Sequence, residues 1–252
     1  MSTRVASQVG YPLLGVLLIL VTWLLICWIG NLPTVVLPTP DKVLRAFINR
    51  FDLLVSEGWF TLKETLGGFL LALLIGLPIS IGIANSRPLN LMFYPLLVAL
   101  QSVPKVALAP IVMIWLGTGM QSKLAIVWLV AFFPIIVDTT AGLRATPKEL
   151  LELARSLRAS PMQIFLKIQF PAALPFVLTG AKVGMTLAVI GAVIGEFVGS
   201  ESGLGYLILV STSQSRTPLA FGALVLLTLM SIVLYYGIAL IERIVVPWAP
   251  RN

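Results

Sequence analysis

Histidine is absent from this 252-residue chain, and cysteine occurs once, as Cys27. The first absence removes the side chain best suited to acid–base work near neutral pH and to metal ligation. A single cysteine cannot build an internal disulfide, a zinc site or a redox pair, and Cys27 lies inside an apolar run, where it reads as a small packed residue. Charge is scarce too: 11% of residues are charged and 58% hydrophobic, where soluble domains carry roughly 25% charged. A mean hydropathy of +1.02 agrees. So few charges cannot solvate a globular surface, which excludes a soluble enzyme and points to a polytopic membrane protein. No G-x-x-x-x-G-K-[ST] run occurs. The glycine-rich stretch at 196–206 (E-F-V-G-S-E-S-G-L-G-Y) has neither a preceding strand nor G-x-G-x-x-G spacing; its glycines suit tight turns or close helix approach. We find no catalytic triad, metal cluster or base-reading module. No catalytic, cofactor-binding or metal-ligating residue is therefore assigned, no ATP hydrolysis is expected of the chain itself, and nucleic acid is not an expected partner.

Long apolar runs are what the chain does have. A span needs ~20 mostly apolar residues, and about six runs qualify: Tyr11–Ile29, Leu62–Asn85, Leu89–Leu116, Leu124–Leu143, Leu174–Val198 and Leu219–Ile241. Strands of a β-barrel would alternate apolar and polar residues instead, so the fold class is an all-α membrane protein. The first run follows a short, weakly basic N-terminus, lacks a small-residue cleavage site and is too long for a removable signal, so it is expected to remain as an anchor.

The net charge of +7 is better read through topology than through partners. With both termini in the cytoplasm, the inner segments hold Arg4, Arg87, Arg144, Lys148, Arg155, Arg158, Lys167, Arg243 and Arg251. The outer segments hold Lys42, Arg45, Arg50, Lys63, Lys123 and Arg216. The excess of inner positives favours this orientation.

Between the first two runs, residues 38–56 place Val43, Leu44, Phe47, Ile48, Phe51, Leu54 and Val55 on one helical face, after a Thr39–Pro40 helix start. With Lys42, Arg45, Arg50 and Asp52 opposite, this predicts an amphipathic helix at the outer interface, or a contact surface for an external partner. The third run holds Pro104 and Pro110 with Lys105 between them. Prolines remove donors and invite kinks, tolerated at membrane depth only beside protein or a watery cavity.

Residues 144–175 form a polar island with two successive helix starts. Thr146 can cap a helix opening at Pro147, with Glu149 completing a capping box; Ser160, Pro161 and Gln163 repeat the arrangement. Both predicted helices are too short to be stable alone in water, so something must hold them.

The island's run Glu152-Leu153-Ala154-Arg155-Ser156-Leu157-Arg158-Ala159-Ser160, followed by I-Q-F-P at 168–171 and A-A-L-P at 172–175, resembles the EAA loop of bacterial ABC importer permeases. Further blocks are similar to the branch handling nitrate, sulfonates and taurine: L-P-T-P-D-K-V-L at 37–44, V-P-K-V-A-L-A-P-I-V-M-I-W-L-G at 103–117 and G-E-F-V-G-S-E-S-G-L-G-Y-L-I at 195–208. Two positions depart from the loop's pattern: Leu153 stands where alanine is usual, and Arg158 where glycine is. If that glycine ends the first short helix in a left-handed conformation, a side chain there costs ~1–2 kcal/mol, and either Arg158 accepts the strain for a contact or the turn closes differently.

The resemblance implies one transmembrane permease domain over 1–252 with a type I importer fold: a core at 60–245, the outer helix at 38–56 and cytoplasmic coupling helices at 146–168. It implies a bacterial inner-membrane complex with a second permease copy, taken as a homodimer, two cytoplasmic ATPase subunits that hold ATP and Mg, and an extracytoplasmic solute-binding protein. Coupling to the ATPase then falls to Glu149, Leu150, Glu152, Leu153, Ala154, Leu157, Arg158, Ser160, Ile164 and Phe165. The cargo implied is a small anion such as a sulfonate, taurine or nitrate, with a pyrimidine or riboflavin-like vitamin precursor as the alternative. Candidates for the translocation path are Gln101, Pro104, Lys105 and Glu196, since ionisable groups at membrane depth usually face a cavity or a partner. The bland reading is that Lys182 snorkels to the interface and Glu196 caps the end of its span. An ion-coupled secondary transporter would need internal repeats and intramembrane carboxylate sites, a channel would need a filter motif, and neither is evident.

Overall fold

The computed structural model describes residues 2–248, the side chains of residues 2–9, 12 and 13 excepted, so the side chain of Arg4 and all of Arg251 lie outside the described residues. Every regular element among the described residues is helical. In chain order they are α1 (Ser2–Ile29), α2 (Pro40–Asn49), α3 (Phe51–Asn85), α4 (Arg87–Gln101), α5 (Lys105–Leu116), α6 (Met120–Arg144), α7 (Lys148–Ser156), α8 (Pro161–Ile164), α9 (Phe170–Gly199), α10 (Leu204–Ser213) and α11 (Thr217–Val245).

Among the described residues, four helices are long and apolar enough to cross a membrane: α3, α6, the continuous 161–199 rod and α11. The apolar Leu14–Ile29 part of α1 is a shorter addition. The predicted span Leu89–Leu116 is instead a pair, α4 and α5, bent by 100°. Pro104 causes the break: it has no N–H for a helical ladder and pushes the residue before it out of the α region. The amides of Ser102 and Val103 close α4 on Ala99 and Leu100, and α5 restarts with Pro104 in its N-cap position. Pro110 sits inside α5 without ending it.

The predicted amphipathic helix over 38–56 is also shorter than expected. It ends at Asn49, and Phe51 already opens the rod of α3. Hydropathy hides this extension because Glu57 and Thr61 interrupt the apolar run, yet each finds a partner inside the protein.

The bundle is organised around α6, which lies between α3 and α9, with Ile126, Val127, Ile135 and Ile136 at 1% exposure or less. Small residues let the backbones close in. A Cβ on Gly68 of α3 would meet Val127 Cβ at 2.4 Å, and one on Gly184 of α9 would meet Ile135 at 3.0 Å. α11 covers α9 and α10, while α1 stays peripheral: Trp23 donates to the Pro38 carbonyl at 3.1 Å and lies 5.8 Å from the Phe221 ring. Cys27 is buried beside the same carbonyl, the packed position expected of it.

Candidate functional site

The 147–168 segment stands at the end of the bundle where α3 and α6 finish. Its second helix start forms as the sequence predicts: Ser160 N–H donates to Gln163 Oε1 at 2.8 Å, and Gln163 N–H donates to Ser160 Oγ at 3.3 Å. The first does not. Pro147 is extended (φ −55°, ψ 133°) and takes the N-cap position itself, so α7 starts one residue beyond the reach of Thr146. The buried Thr146 hydroxyl donates back to the Leu143 carbonyl at 3.3 Å, and Glu149 is exposed without a capping role.

The turn between the two helices closes as a Schellman motif. Arg158 N–H donates to the Arg155 carbonyl at 2.9 Å and Ala159 N–H to the Ala154 carbonyl at 3.0 Å. Arg158 is thereby held at φ +56°, the left-handed region that costs a non-glycine residue about 1–2 kcal/mol.

The ten residues assigned to coupling do not share one face. Leu150, Leu153 and Leu157 point outward, Leu157 being 74% exposed, whereas Ala154 and Ile164 are buried and Phe165 is half-buried. The buried pair faces this chain's own structure and is unavailable to a partner. Met162 and Leu166, which the sequence reading passed over, join the outward apolar face at 65% and 52% exposure. Around it stand Lys148, Glu149, Glu152, Arg155, Arg158 and Lys167, all exposed, with no ion pair recorded for any of them among the described residues. Packing beneath is thin, since α7 makes only marginal contact with the other helices. A cavity of about 890 Å³ opens between the turn and the end of α3, lined by Ile81, Asn85, Leu151, Arg155 and Met162.

The second short helix is not free-standing, contrary to expectation. α8 runs through a π-helical turn, Phe165–Gln169, straight into α9. There Phe170 N–H donates to the Phe165 carbonyl, five residues back. This widened turn comes just before Pro171, which cannot continue a regular ladder. Residues 161–199 therefore form one lever.

The path candidates separate into two places. Gln101, Pro104 and Lys105 meet at the α4–α5 bend, where the Lys105 ammonium donates to the Gln101 carbonyl and lies 5.4 Å from the centre of the Phe133 ring. A cation there complements the carbonyl end of α4. Glu196 belongs elsewhere, at the end of the bundle opposite the 147–168 segment, and is only 1% exposed. Its Oε1 accepts from Thr61 at 2.6 Å and its Oε2 from the Gly205 amide at 2.5 Å, so it holds the start of α10 rather than lining a path. Gly203 permits this approach: it sits at φ +105°, and a Cβ on it would lie 2.1 Å from the Glu196 carboxylate. Beside it, Lys123 donates to Glu64 at 2.8 Å and to Ser200 at 2.5 Å, and Glu57 accepts from the Gly203 amide at 2.6 Å. Lys182 pairs with Glu242 at 2.8 Å, three residues before the end of α11.

Comparison with known proteins follows the same lines. The model of the family described as binding-protein-dependent transport system inner membrane component matches residues 68–249. The riboflavin transport system permease protein RibX of Chloroflexus aurantiacus is 37% identical over 98% of this chain and 96% of its own length. The formylaminopyrimidine transport permease protein ThiX of Halalkalibacterium halodurans is 34% identical over 96% of each. At greater distance, the nitrate import permease protein NrtB of Synechocystis is 27% identical over 96% of this chain and 91% of its own. Among solved structures, a chain of the methionine ABC transporter MetNI in an inward-facing conformation superposes with a TM-score of 0.67, at 26% identity over 78% of this chain and 98% of that one.

Proposed function

The chain belongs to the binding-protein-dependent transport system inner membrane component family, the permeases of ABC importers, and from that premise we propose how this one is coupled to its energy source. The outward face of α7 and α8 is the docking surface for a cytoplasmic ATPase subunit. The observation that carries this is α7 itself: nine residues long, capped by no side chain, scarcely packed on its own chain, and edged with exposed leucines. A helix so short is marginal in water, and an apolar stripe of this kind suits insertion into a groove on a partner.

In this reading the 147–168 end is cytoplasmic, as are both termini, and the membrane is a bacterial inner membrane. Two copies of the chain form the path, two ATPase subunits bind ATP and Mg, and a solute-binding protein delivers cargo at the end where Glu64, Lys123 and Glu196 lie. ATP-driven closure of the ATPase pair moves the α7–α8 turns. Because α8 is continuous with α9, that motion enters the core of the bundle directly. Driving an inward/outward equilibrium from 1:99 to 99:1 takes about 5.5 kcal/mol of differential binding, which ATP and the loaded binding protein supply together.

Two cargo classes divide the relatives: vitamins and their heterocyclic precursors, and small anions. The higher identities to the riboflavin and formylaminopyrimidine permeases support a heterocycle. The anion reading has sulfonate and nitrate permeases behind it, at 32% and 27% identity, while its candidate cation, Lys105, is already engaged by the Gln101 carbonyl at the end of α4. Proteoliposomes holding the permease and its ATPase subunit, supplied with loaded binding protein, test the whole reading. Uptake is expected only with ATP inside, and Leu153→Asp together with Leu157→Asp is expected to abolish both uptake and ATPase co-purification. Undiminished uptake by that double variant would overturn the docking surface.

A further inference from the structure

We propose that Arg158 is a carboxylate-reading contact of the ATPase interface, an inference that rests on the docking surface above and adds its chemistry. Three observations converge on this side chain. Its backbone is held at φ +56°, where a glycine would make the same two hydrogen bonds of the turn without the strain. Its side chain is exposed and no hydrogen bond or ion pair is recorded for it among the described residues. It also follows Leu157, the most exposed leucine of the turn, which sets the guanidinium at the rim of the apolar patch.

Backbone strain that a glycine would relieve is a pointer to function. A guanidinium is suited to bidentate binding of a carboxylate. The local balance gives the partner its sign: Lys148, Arg155, Arg158 and Lys167 outnumber Glu149 and Glu152 around the leucines, all of them exposed. The complementary surface is therefore acidic, and an aspartate or glutamate at the edge of the ATPase groove meets Arg158. A rim charge of this kind acts chiefly on orientation, association rate and salt dependence.

The test uses full-length permease in nanodiscs of neutral lipid, titrated with its ATPase subunit at several salt concentrations. Arg158→Gly removes both strain and charge, whereas Arg158→Ala removes the charge and keeps the strain. Both are expected to weaken ATPase binding about fivefold at low salt and to flatten its salt dependence, while Arg158→Gly alone raises the melting temperature of the isolated permease. Opposite signs for stability and binding in one variant are what a merely structural residue would not produce. In Arg158→Lys, a zero-length carbodiimide is expected to join the introduced amine to an acidic residue of the ATPase, read by mass spectrometry of the linked peptides.

Wild-type affinity and salt dependence in both Arg158→Gly and Arg158→Ala would overturn the proposal. So would a change confined to nanodiscs of anionic lipid, which would make Arg158 a headgroup contact. Leu157→Asp keeps the two readings apart: it is expected to lose binding whether or not Arg158 matters, and if it binds like wild type the docking surface itself fails.

Discussion

Glu196 and Arg158 both stand where one helix ends and another begins, and their surroundings could hardly differ more. Around Glu196 the chain closes on itself: both carboxylate oxygens accept a bond, Lys123 reaches Glu64 and Ser200, and Glu57 holds the Gly203 amide. Four helices, α3, α6, α9 and α10, meet in that network. Around Arg158 the chain satisfies its backbone and little else. Charges stand exposed, leucines face outward, and α7 scarcely touches the bundle. Buried polar groups must find partners or cost stability, and most of those at the first end find them within one polypeptide, Glu64 Oε2 being left without one among the described residues. An exposed apolar edge on an unsupported helix calls for a second one.

The comparison can be broken hardest at the finished end. Lys123→Ala leaves the carboxylate of Glu64, 1% exposed, without its cation, and removing one member of a buried pair costs about 3–5 kcal/mol. We expect loss of a cooperative melting transition or of folded yield, measured by fluorescence-detected size exclusion in detergent. A folded, equally stable variant would mean that this network is incidental. A smaller effect follows at the α3–α6 crossing, where Gly68→Ala would drive a methyl into Val127. Overpacking of this kind costs about 1–3 kcal/mol, and the melting temperature should fall without change in ATPase affinity.

The smallest effect belongs to the turn. Ser160→Ala removes one half of its reciprocal cap, worth about 1 kcal/mol. Because α8 leads into the long lever, ATP-driven uptake should decline while the bundle melts almost as before. A large fall in bundle stability would show that the turn is more tightly built into the core than its exposure indicates.

Much of this contrast was legible in the residues, and the failures have definite causes. Length and hydropathy located α6, α9 and α11, whose apolar runs hold at most two charged residues each. They could not reveal the bend between α4 and α5, because both halves are apolar and only the Val103–Pro104 step marks it. Nor could they extend α3 back to Phe51, since Thr61 and Glu57 are satisfied by groups more than a hundred residues away. The G-x-x-x-G spacing of Gly180 and Gly184 was available as a sign of the close α6–α9 packing and went unread. In the turn, Ser160 and Gln163 were legible because a capping box is a local device. Thr146 failed because Pro147 took an extended conformation, and Ala154 and Ile164 because a pattern of apolar positions does not say which of them face inward. The left-handed backbone of Arg158 was legible from its place in the motif alone.

Hydrogen exchange of the backbone amides, measured on the full-length permease with and without its ATPase subunit, tests the contrast most directly. Rapid exchange across α7 in the permease alone, slowed when the ATPase is added, is expected, with the amides of Gly203 and Gly205 protected in both. Slow exchange across α7 without any partner, or no slowing when the ATPase binds, would contradict the reading of this helix as a docking element.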